Sequence, residues 1–414
     1  MAKNVIYLVV DALRPDYLGC YGNSSMLTTE IDRLAEEGVL FEDVVSSAPW
    51  TVPSVATHLT GGYAHKLGIF SSEFDVKNEP IETVFDRFNR EGYTTAAYLD
   101  SEELFHQWDG SVDHYAKSLE LLDFLTFISE HADEPFFIFN LYRGTHLPYV
   151  LKYSREAWYS AQEEALDRLR YGGEEGVEES KYRYARAIEH FSEWYLRAIL
   201  DRLETEGILE DTAIVLTADH GECWGERLED RTDMDAFDLH GPHLYDEVLK
   251  IPLLMYNFGP SNGERVSEMV RSVDILPTMI EAVDISIDPE DRTIDGISLE
   301  PYLSGDRGES DFTRVAFSAT TSYENPENSD ISVISKFSVT REGWKLIWEP
   351  DADEVELYDL NADPDEVVDR STERCDRTEE LLVLLREEME CAGMHLSESD
   401  PDVVRQRLED LGYL

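Results

Sequence analysis

Asp11 stands at the end of the apolar run Val5 to Val10, and Asp219 and His220 stand at the end of another run, TAIVLTADHG, that begins at Thr212. Two carboxylates and an imidazole are hard and borderline ligands, a set that suits one divalent cation. Taken singly, an aspartate after a strand also reads as the N-cap of the next helix. Aspartate, histidine and glycine in succession are more specific, because Gly221 permits a tight turn that points both side chains forward. A hydroxyl joins the set. Thr51 lies in SSAPWTVPSVATHLTGG just before Pro53, with a helix expected to begin near Ser54. A hydroxyl at the positive end of a helix is placed to meet an anionic group, although the same threonine also reads as a simple helix cap.

The elements that must position these groups are buried strands. Val5 to Val10, PFFIFNLY from Pro135 (ending near His146) and TAIVLTADHG are short continuous apolar runs, as parallel strands covered on both faces should be. All three deliver polar groups at their carboxyl ends, the edge where open α/β sheets bind ligands. Between them lie helical stretches such as YARAIEHFSEWYLRAILDRLETEG, with apolar positions at three- and four-residue spacing before a terminal glycine. The predicted fold class is α/β, a large mixed sheet sandwiched by helices. The segment from Ala161 to Ser180 is charged, glycine-containing and poor in apolar residues, and is read as a surface insertion. From about Thr320 the pattern changes: ISVISKFSVTREGWKLIWEP alternates like antiparallel strands with a turn at Gly343, and an acidic amphipathic helix starts near Thr378. The expected division is a catalytic domain over residues 1–318 and a smaller α+β subdomain over residues 319–414.

A chain of 414 residues is long enough for a sizeable core, and a hydrophobic content of 42% argues against reading its charge as disorder. Asp and Glu number 88 against 35 Lys and Arg, giving a formal net charge of -53 spread along the whole length. Such a surface repels nucleic acid and anionic lipid, so neither is expected as a partner. Of a cationic partner and a solvated carboxylate surface suited to high salt, the dispersal of the charge favours the second, and the expected setting is the cytoplasm of a halophile. Cys20, Cys223, Cys375 and Cys391 show no close metal-binding pair and are expected as thiols. Neither a signal-like leader nor a membrane span is read in the sequence.

The motifs in order carry a resemblance. NVIYLVVDALRPDYLGCYGN resembles the opening strand and metal aspartate of the sulfatase family, in the alkaline phosphatase superfamily, and TTEIDRLAEEGVLFEDVVSSAP resembles the helix and strand that follow. TVPSVATHLTGG is similar to the signature of nucleophile, any residue, Pro, Ser and then Leu-Thr-Gly. HLPY at His146, LTADHGE at Leu216, HGPHLYDEVLKIPLLMY at His240, SVDILPTMIE at Ser272 and ELYDLNADPDE at Glu356 complete a series covering nearly the whole chain. The acidic composition makes it look like a haloarchaeal member.

By position, the resemblance implies that Asp11, Asp219 and His220 hold one divalent metal, calcium in most sulfatases and manganese or zinc in some relatives that cleave phosphoesters. It implies Thr51 in the nucleophile's place, and His146 and His240 among the groups that contact substrate oxygens and supply the general acid, with His243 close enough to compete. Arg14 is a candidate anion-binding side chain, since a guanidinium fork matches sulfate or phosphate oxygens, or else a solvated surface charge. The implied substrate is a small-molecule or glycan sulfate or phosphate ester. Three departures stand out. Sulfatases carry Cys or Ser where this chain has Thr51, so no formylglycine is expected; the arginine that follows their Pro-Ser is Val55; and Ala12 stands where many relatives have a second metal-binding aspartate. An unmodified threonine favours phosphoryl over sulfuryl transfer, because it lacks the second hydroxyl through which formylglycine expels sulfate. A phosphodiester or phosphonate hydrolase, a phosphoryl-type transferase and a degenerate anion- or glycan-binding member are the alternatives.

The charge makes one prediction without any structure. Screening at molar salt shortens the Debye length to roughly 3 Å and removes self-repulsion. The melting temperature should therefore rise from dilute buffer to molar potassium chloride, as followed by thermal unfolding, and an unchanged value would refute the halophile reading.

Overall fold

The computed structural model describes residues 3–69, 81–99, 111–116, 121–149, 155–225, 239–260, 263–287, 291, 293–305, 314–324 and 332–392. Ten strands build the first part of the chain: β1 (Asn4–Val10), β2 (Val39–Phe41), β3 (Val44–Val45), β4 (Thr94–Leu99), β5 (His114–Ala116), β6 (Phe136–Tyr142), β7 (Thr212–Ala218), β8 (Leu253–Tyr256), β9 (Glu264–Val266) and β10 (Val270–Arg271). Eight of them form one sheet in the order β5-β4-β6-β1-β7-β8-β2-β9, while β3 and β10 pair separately. From β5 through β7 every neighbour is parallel, and β8 then runs antiparallel to both β7 and β2, so the sheet is mixed. The three strands expected from their apolar runs are β1, β6 and β7, adjacent at the centre and wholly buried.

Side-chain alternation shows why the sheet is covered on both sides. On β6, Phe137 and Phe139 pack against Phe85 on the helix Val84–Arg90. Tyr142, of opposite parity, packs against Phe191 and Tyr195, and Asn140 accepts a hydrogen bond from the Tyr195 hydroxyl. Those two aromatics sit in a π-helical turn, Phe191–Leu196, that joins the helices Gly173–His190 and Arg197–Glu206. Among the described residues no helix is long and apolar enough to cross a membrane.

The segment from Ala161 to Ser180, read from sequence as an insertion, is instead helical. It belongs to the helices Arg155–Tyr171 and Gly173–His190, folded back on each other. Its few apolar residues are enough because they fall on one edge: Ala165, Leu166, Leu169 and Val177 are buried. Glycine allows the close return, since a Cβ at Gly176 would lie 2.2 Å from the carbonyl oxygen of Arg168.

The C-terminal pattern appears as expected: β11 (Ala316–Glu324), β12 (Ser332–Arg341), β13 (Trp344–Glu349) and β14 (Glu354–Asp359) form an antiparallel sheet in that order. The β12–β13 turn uses Glu342 and Gly343, both at positive φ, as a tight hairpin requires. The last described helix runs from Cys375 to Cys391 and buries Leu381, Leu385 and Met389 against Phe337, Val339, Leu346, Trp348 and Leu357. The tail beyond residue 392 lies outside the described residues.

Lys345 fastens this sheet to the rest. It is 0% exposed, and its Nζ lies 2.5 Å from Asp246 and 2.7 Å from Glu366 and donates to the carbonyl of Leu244 at 3.1 Å. Removing the ammonium leaves two carboxylates facing each other in the interior, which costs about 3–5 kcal/mol. Lys345→Met should lower the unfolding free energy by that amount in denaturant titration, and adding Glu366→Gln should restore part of it.

Candidate metal and ester site

Strand pairing places the acids. β1 runs beside β7 in register Val10 to Ala218, so Asp11 and Asp219 leave neighbouring parallel strands at the same level. One ligand atom each from Asp11, Asp219 and His220 lies within 4.8 Å of the others, all three side chains being buried. The backbone is held from behind. Ser46 and Ser54 both donate to the carbonyl of Asp219, at 2.6 and 2.5 Å, and Thr145 donates to that of Asp11 at 2.6 Å. His58 donates through Nε2 to the carbonyl of Ala218 at 3.2 Å and accepts at Nδ1 from the Tyr7 hydroxyl. Ala12 adopts φ 58°, a strained value for a residue with a Cβ, and its N–H donates to Asp219 Oδ1 at 3.0 Å.

What is left over points inward. Asp11 Oδ1 and Asp219 Oδ2 are buried without a hydrogen-bond partner among the described residues. His220 donates through Nδ1 to the carbonyl of Gly221 at 2.7 Å, which leaves Nε2 as a lone pair, 3.6 Å from Asp11 Oδ1 and 3.4 Å from Asp219 Oδ2. Two orphaned carboxylate oxygens and an imidazole lone pair converging on one point fit a divalent cation. Burial pushes the Asp219 carboxyl up to about 6. Burial also opposes ionisation of Asp11, but His146, Arg143, His220 and His240 outweigh it and hold that carboxyl below its usual range.

Thr51 opens the helix Thr51–Thr60, whose N-cap is Trp50, so its side chain is not spent on capping. It is buried, with Oγ1 3.3 Å from His220 Nε2. The His240 ring stacks on His220 at 4.6 Å between centroids and meets His146 edge-on at 5.5 Å. His146 donates through Nδ1 to the carbonyl of Leu147 at 2.8 Å, since a carbonyl can only accept. Burial lowers the His146 pKa to about 4.

Two sequence candidates are engaged by other groups. Arg14 donates to Asp16 through Nε and Nη2, both at 2.9 Å, and to the carbonyl of Glu222 through Nη1 at 2.8 Å, and it lies over the Trp224 ring. It lines a separate cleft of about 820 Å³ with Asp16, Lys250, Tyr358 and Asp365. His243 sits against Cys223, Nε2 to Sγ 3.3 Å, and against the Tyr245 ring. In return the structure adds two residues. Arg143 donates through Nε to Asp11 Oδ2 at 3.0 Å. Glu222 is fully buried beside His240, Oε1 to Nδ1 3.2 Å. Arg143 was findable, being the first polar residue after β6, the same rule that marks Asp11 and Asp219; Glu222 ends the LTADHGE motif.

The fold is similar to that of known proteins over nearly its full length. It matches a solved structure of BT4656 in complex with its substrate D-glucosamine-2-N,6-O-disulfate, at TM-score 0.72 and 20% identity, covering 97% of this chain and 99% of that one. It also matches the phosphonate monoester hydrolase of Agrobacterium radiobacter at TM-score 0.69 and 18% identity, covering 95% and 96%. These likenesses show the fold, a large mixed α/β sheet flanked by helices with a C-terminal antiparallel sheet. The chain belongs to the sulfatase family, whose model, Sulfatase, matches residues 3–285, while a second model, N-sulphoglucosamine sulphohydrolase, C-terminal, matches residues 236–392. Among curated relatives, the low-salt glycan biosynthesis sulfotransferase Agl7 of Haloferax volcanii is 27% identical over 72% of this chain, which spans only 64% of that protein's own length.

Protons compete with the cation for Asp219, whose carboxyl burial pushes up to about 6, and for His220, whose charged form Asp219 and Asp11 favour against burial, so divalent-ion affinity measured by calorimetry should climb as pH rises through about 6 and go on climbing beyond the ordinary imidazole range. Asp219→Asn should weaken that affinity by roughly 100-fold or more while leaving the far-ultraviolet dichroism unchanged.

Proposed function

We propose that the chain is a metal-dependent enzyme that cleaves a sulfate or phosphate ester, with unmodified Thr51 receiving the transferred group. One observation carries this reading: a buried hydroxyl at the N-terminus of a helix faces the point where Asp11 Oδ1, Asp219 Oδ2 and His220 Nε2 converge. Calcium, with manganese and zinc as the alternatives, is the cation these residues would hold, and it would supply charge neutralisation for the oxygens of the transferred group. The helix N-terminus favours the same negative charge. Arg143 stands in for the cation that Val55 does not provide. Thr51 Oγ1 gives up its proton to water as it bonds to sulfur or phosphorus, the ester bond to the leaving oxygen breaks with its electron pair on that oxygen, and His240 or His146 gives that oxygen a proton. Hydrolysis of the adduct by water then restores the hydroxyl. No formylglycine is involved, and the absence of its second hydroxyl inclines the site toward phosphoryl transfer.

The substrate class we assign is a small-molecule or glycan ester, in keeping with the substrate named for the BT4656 structure. Residues 1–318 form the catalytic unit in this reading and 319–414 an appended one. The halophilic, cytoplasmic setting stays part of the proposal, supported by the charge of -53 and by similarity to a Haloferax protein. That relative's name favours a second reading, transfer of a sulfuryl group to a sugar acceptor in place of water.

Aryl sulfate, phosphate monoester, phosphodiester and phosphonate should be assayed with calcium, manganese and zinc at high salt, with and without a glycan acceptor. Turnover of a phosphoester that falls roughly 10³-fold in Thr51→Ala is the expected outcome. A labelled phosphoryl group should appear on Thr51 by mass spectrometry. Turnover of aryl sulfate alone would overturn the phosphoryl preference, and acceptor-dependent turnover would establish the transferase.

A further inference from the structure

Tyr184 lies in the helix Gly173–His190, the second of the two helices that the charged segment helps to form. It is buried, and its ring meets three others edge-on: Tyr17 at 4.8 Å between centroids, Trp224 at 5.4 Å and Tyr149 at 5.5 Å. The hydroxyl is spent on the chain that leaves β1. It donates to the carbonyl of Ala12 at 2.6 Å and accepts from the backbone N–H of Arg14 at 2.9 Å. A carbonyl can only accept and an N–H can only donate, so both directions are fixed.

The turn held by these two bonds shapes the cation site. Ala12 sits at φ 58°, a conformation that a residue with a Cβ keeps only where its surroundings enforce it. In that conformation its N–H meets Asp219 Oδ1, and the N–H of His220 meets the same oxygen at 2.8 Å. With Oδ1 taken twice by the backbone, Oδ2 is the oxygen left over, as Oδ1 is on Asp11, the residue that opens the turn. We propose that Tyr184 is a positioning residue for the cation site, its hydroxyl pinning the turn after Asp11 so that both carboxylates keep one oxygen free for the ion. The helical pair that carries Tyr184 is then part of the site, although Tyr184 stands 172 residues from Ala12 in sequence. This rests on the reading that Asp11, Asp219 and His220 hold a divalent ion.

Two measurements on the full chain test this. Tyr184→Phe keeps the ring and its aromatic contacts and removes the hydroxyl alone. Tyr195→Phe is the matched control, because its hydroxyl is also buried but donates to Asn140 on β6. In the first measurement, calcium and manganese affinities are read by calorimetry. Tyr184→Phe should weaken them by roughly 10-fold or more, the usual cost of losing a group that orients metal ligands, and Tyr195→Phe should leave them unchanged. An unchanged affinity in Tyr184→Phe, or an equal loss in both variants, overturns the proposal. The second measurement needs no ion. Amide hydrogen exchange at Ala12, set against the amides of β1, should quicken about tenfold in Tyr184→Phe, the worth of one hydrogen bond, and keep its ratio in Tyr195→Phe. If Ala12 keeps its relative protection in Tyr184→Phe, the hydroxyl does not hold the turn and the proposal falls. A wild type that binds no divalent ion overturns the cation reading itself, and exchange at Ala12 still decides whether Tyr184 holds the turn.

Discussion

Two carboxylates brought to one buried point govern the architecture around them. At a separation of up to 4.8 Å, a pair of unit charges repels by on the order of 3–4 kcal/mol at an effective dielectric of about 20, before any cost of desolvation. The surroundings answer that repulsion from several sides. Arg143 takes one oxygen of Asp11, backbone N–H groups of Ala12 and His220 take one of Asp219, and a helix N-terminus and three histidines close the remainder. Hydroxyls of Ser46, Ser54 and Thr145 hold the carbonyls behind the acids, so the strand ends cannot relax apart. The positive φ at Ala12 belongs to the same arrangement, since in that conformation its N–H reaches Asp219.

The C-terminal sheet takes part in this at one remove. Thr320 on β11 donates to the carbonyl of Gly241, beside His240, and Ser318 donates to that of Ser46. Lys345 and Glu366 hold Leu244 and Asp246 a few residues further on. The segment carrying His240 and His243 is thus fixed between two sheets that are distant in sequence.

The central strands, the hairpin at Gly343 and the convergence of Asp11, Asp219 and His220 were legible in the sequence, because each depends on local pattern: a buried run, a turn residue, a polar group at a strand end. Where the reading went wrong, at Ala161 to Ser180, composition was weighed over spacing; a narrow apolar edge suffices for a helix that packs mainly on another helix. Arg14 shows the opposite difficulty. Its nearness in sequence to Asp11 says nothing of direction, and a competing carboxylate two residues away, Asp16, claims the guanidinium. Glu222 stood in plain view in a motif, but its pairing with His240 joins residues 18 apart, and no spacing rule reports such a meeting.

The burial of Lys345 has a consequence for ionic strength. Mobile ions screen charges that water reaches, and this ammonium and its carboxylate Glu366 lie in the interior. The acidic exterior therefore strengthens or weakens with the salt around it, while the joint between the two sheets keeps its attraction unchanged. Dilution loosens the coat of the molecule and leaves its hinge pin in place.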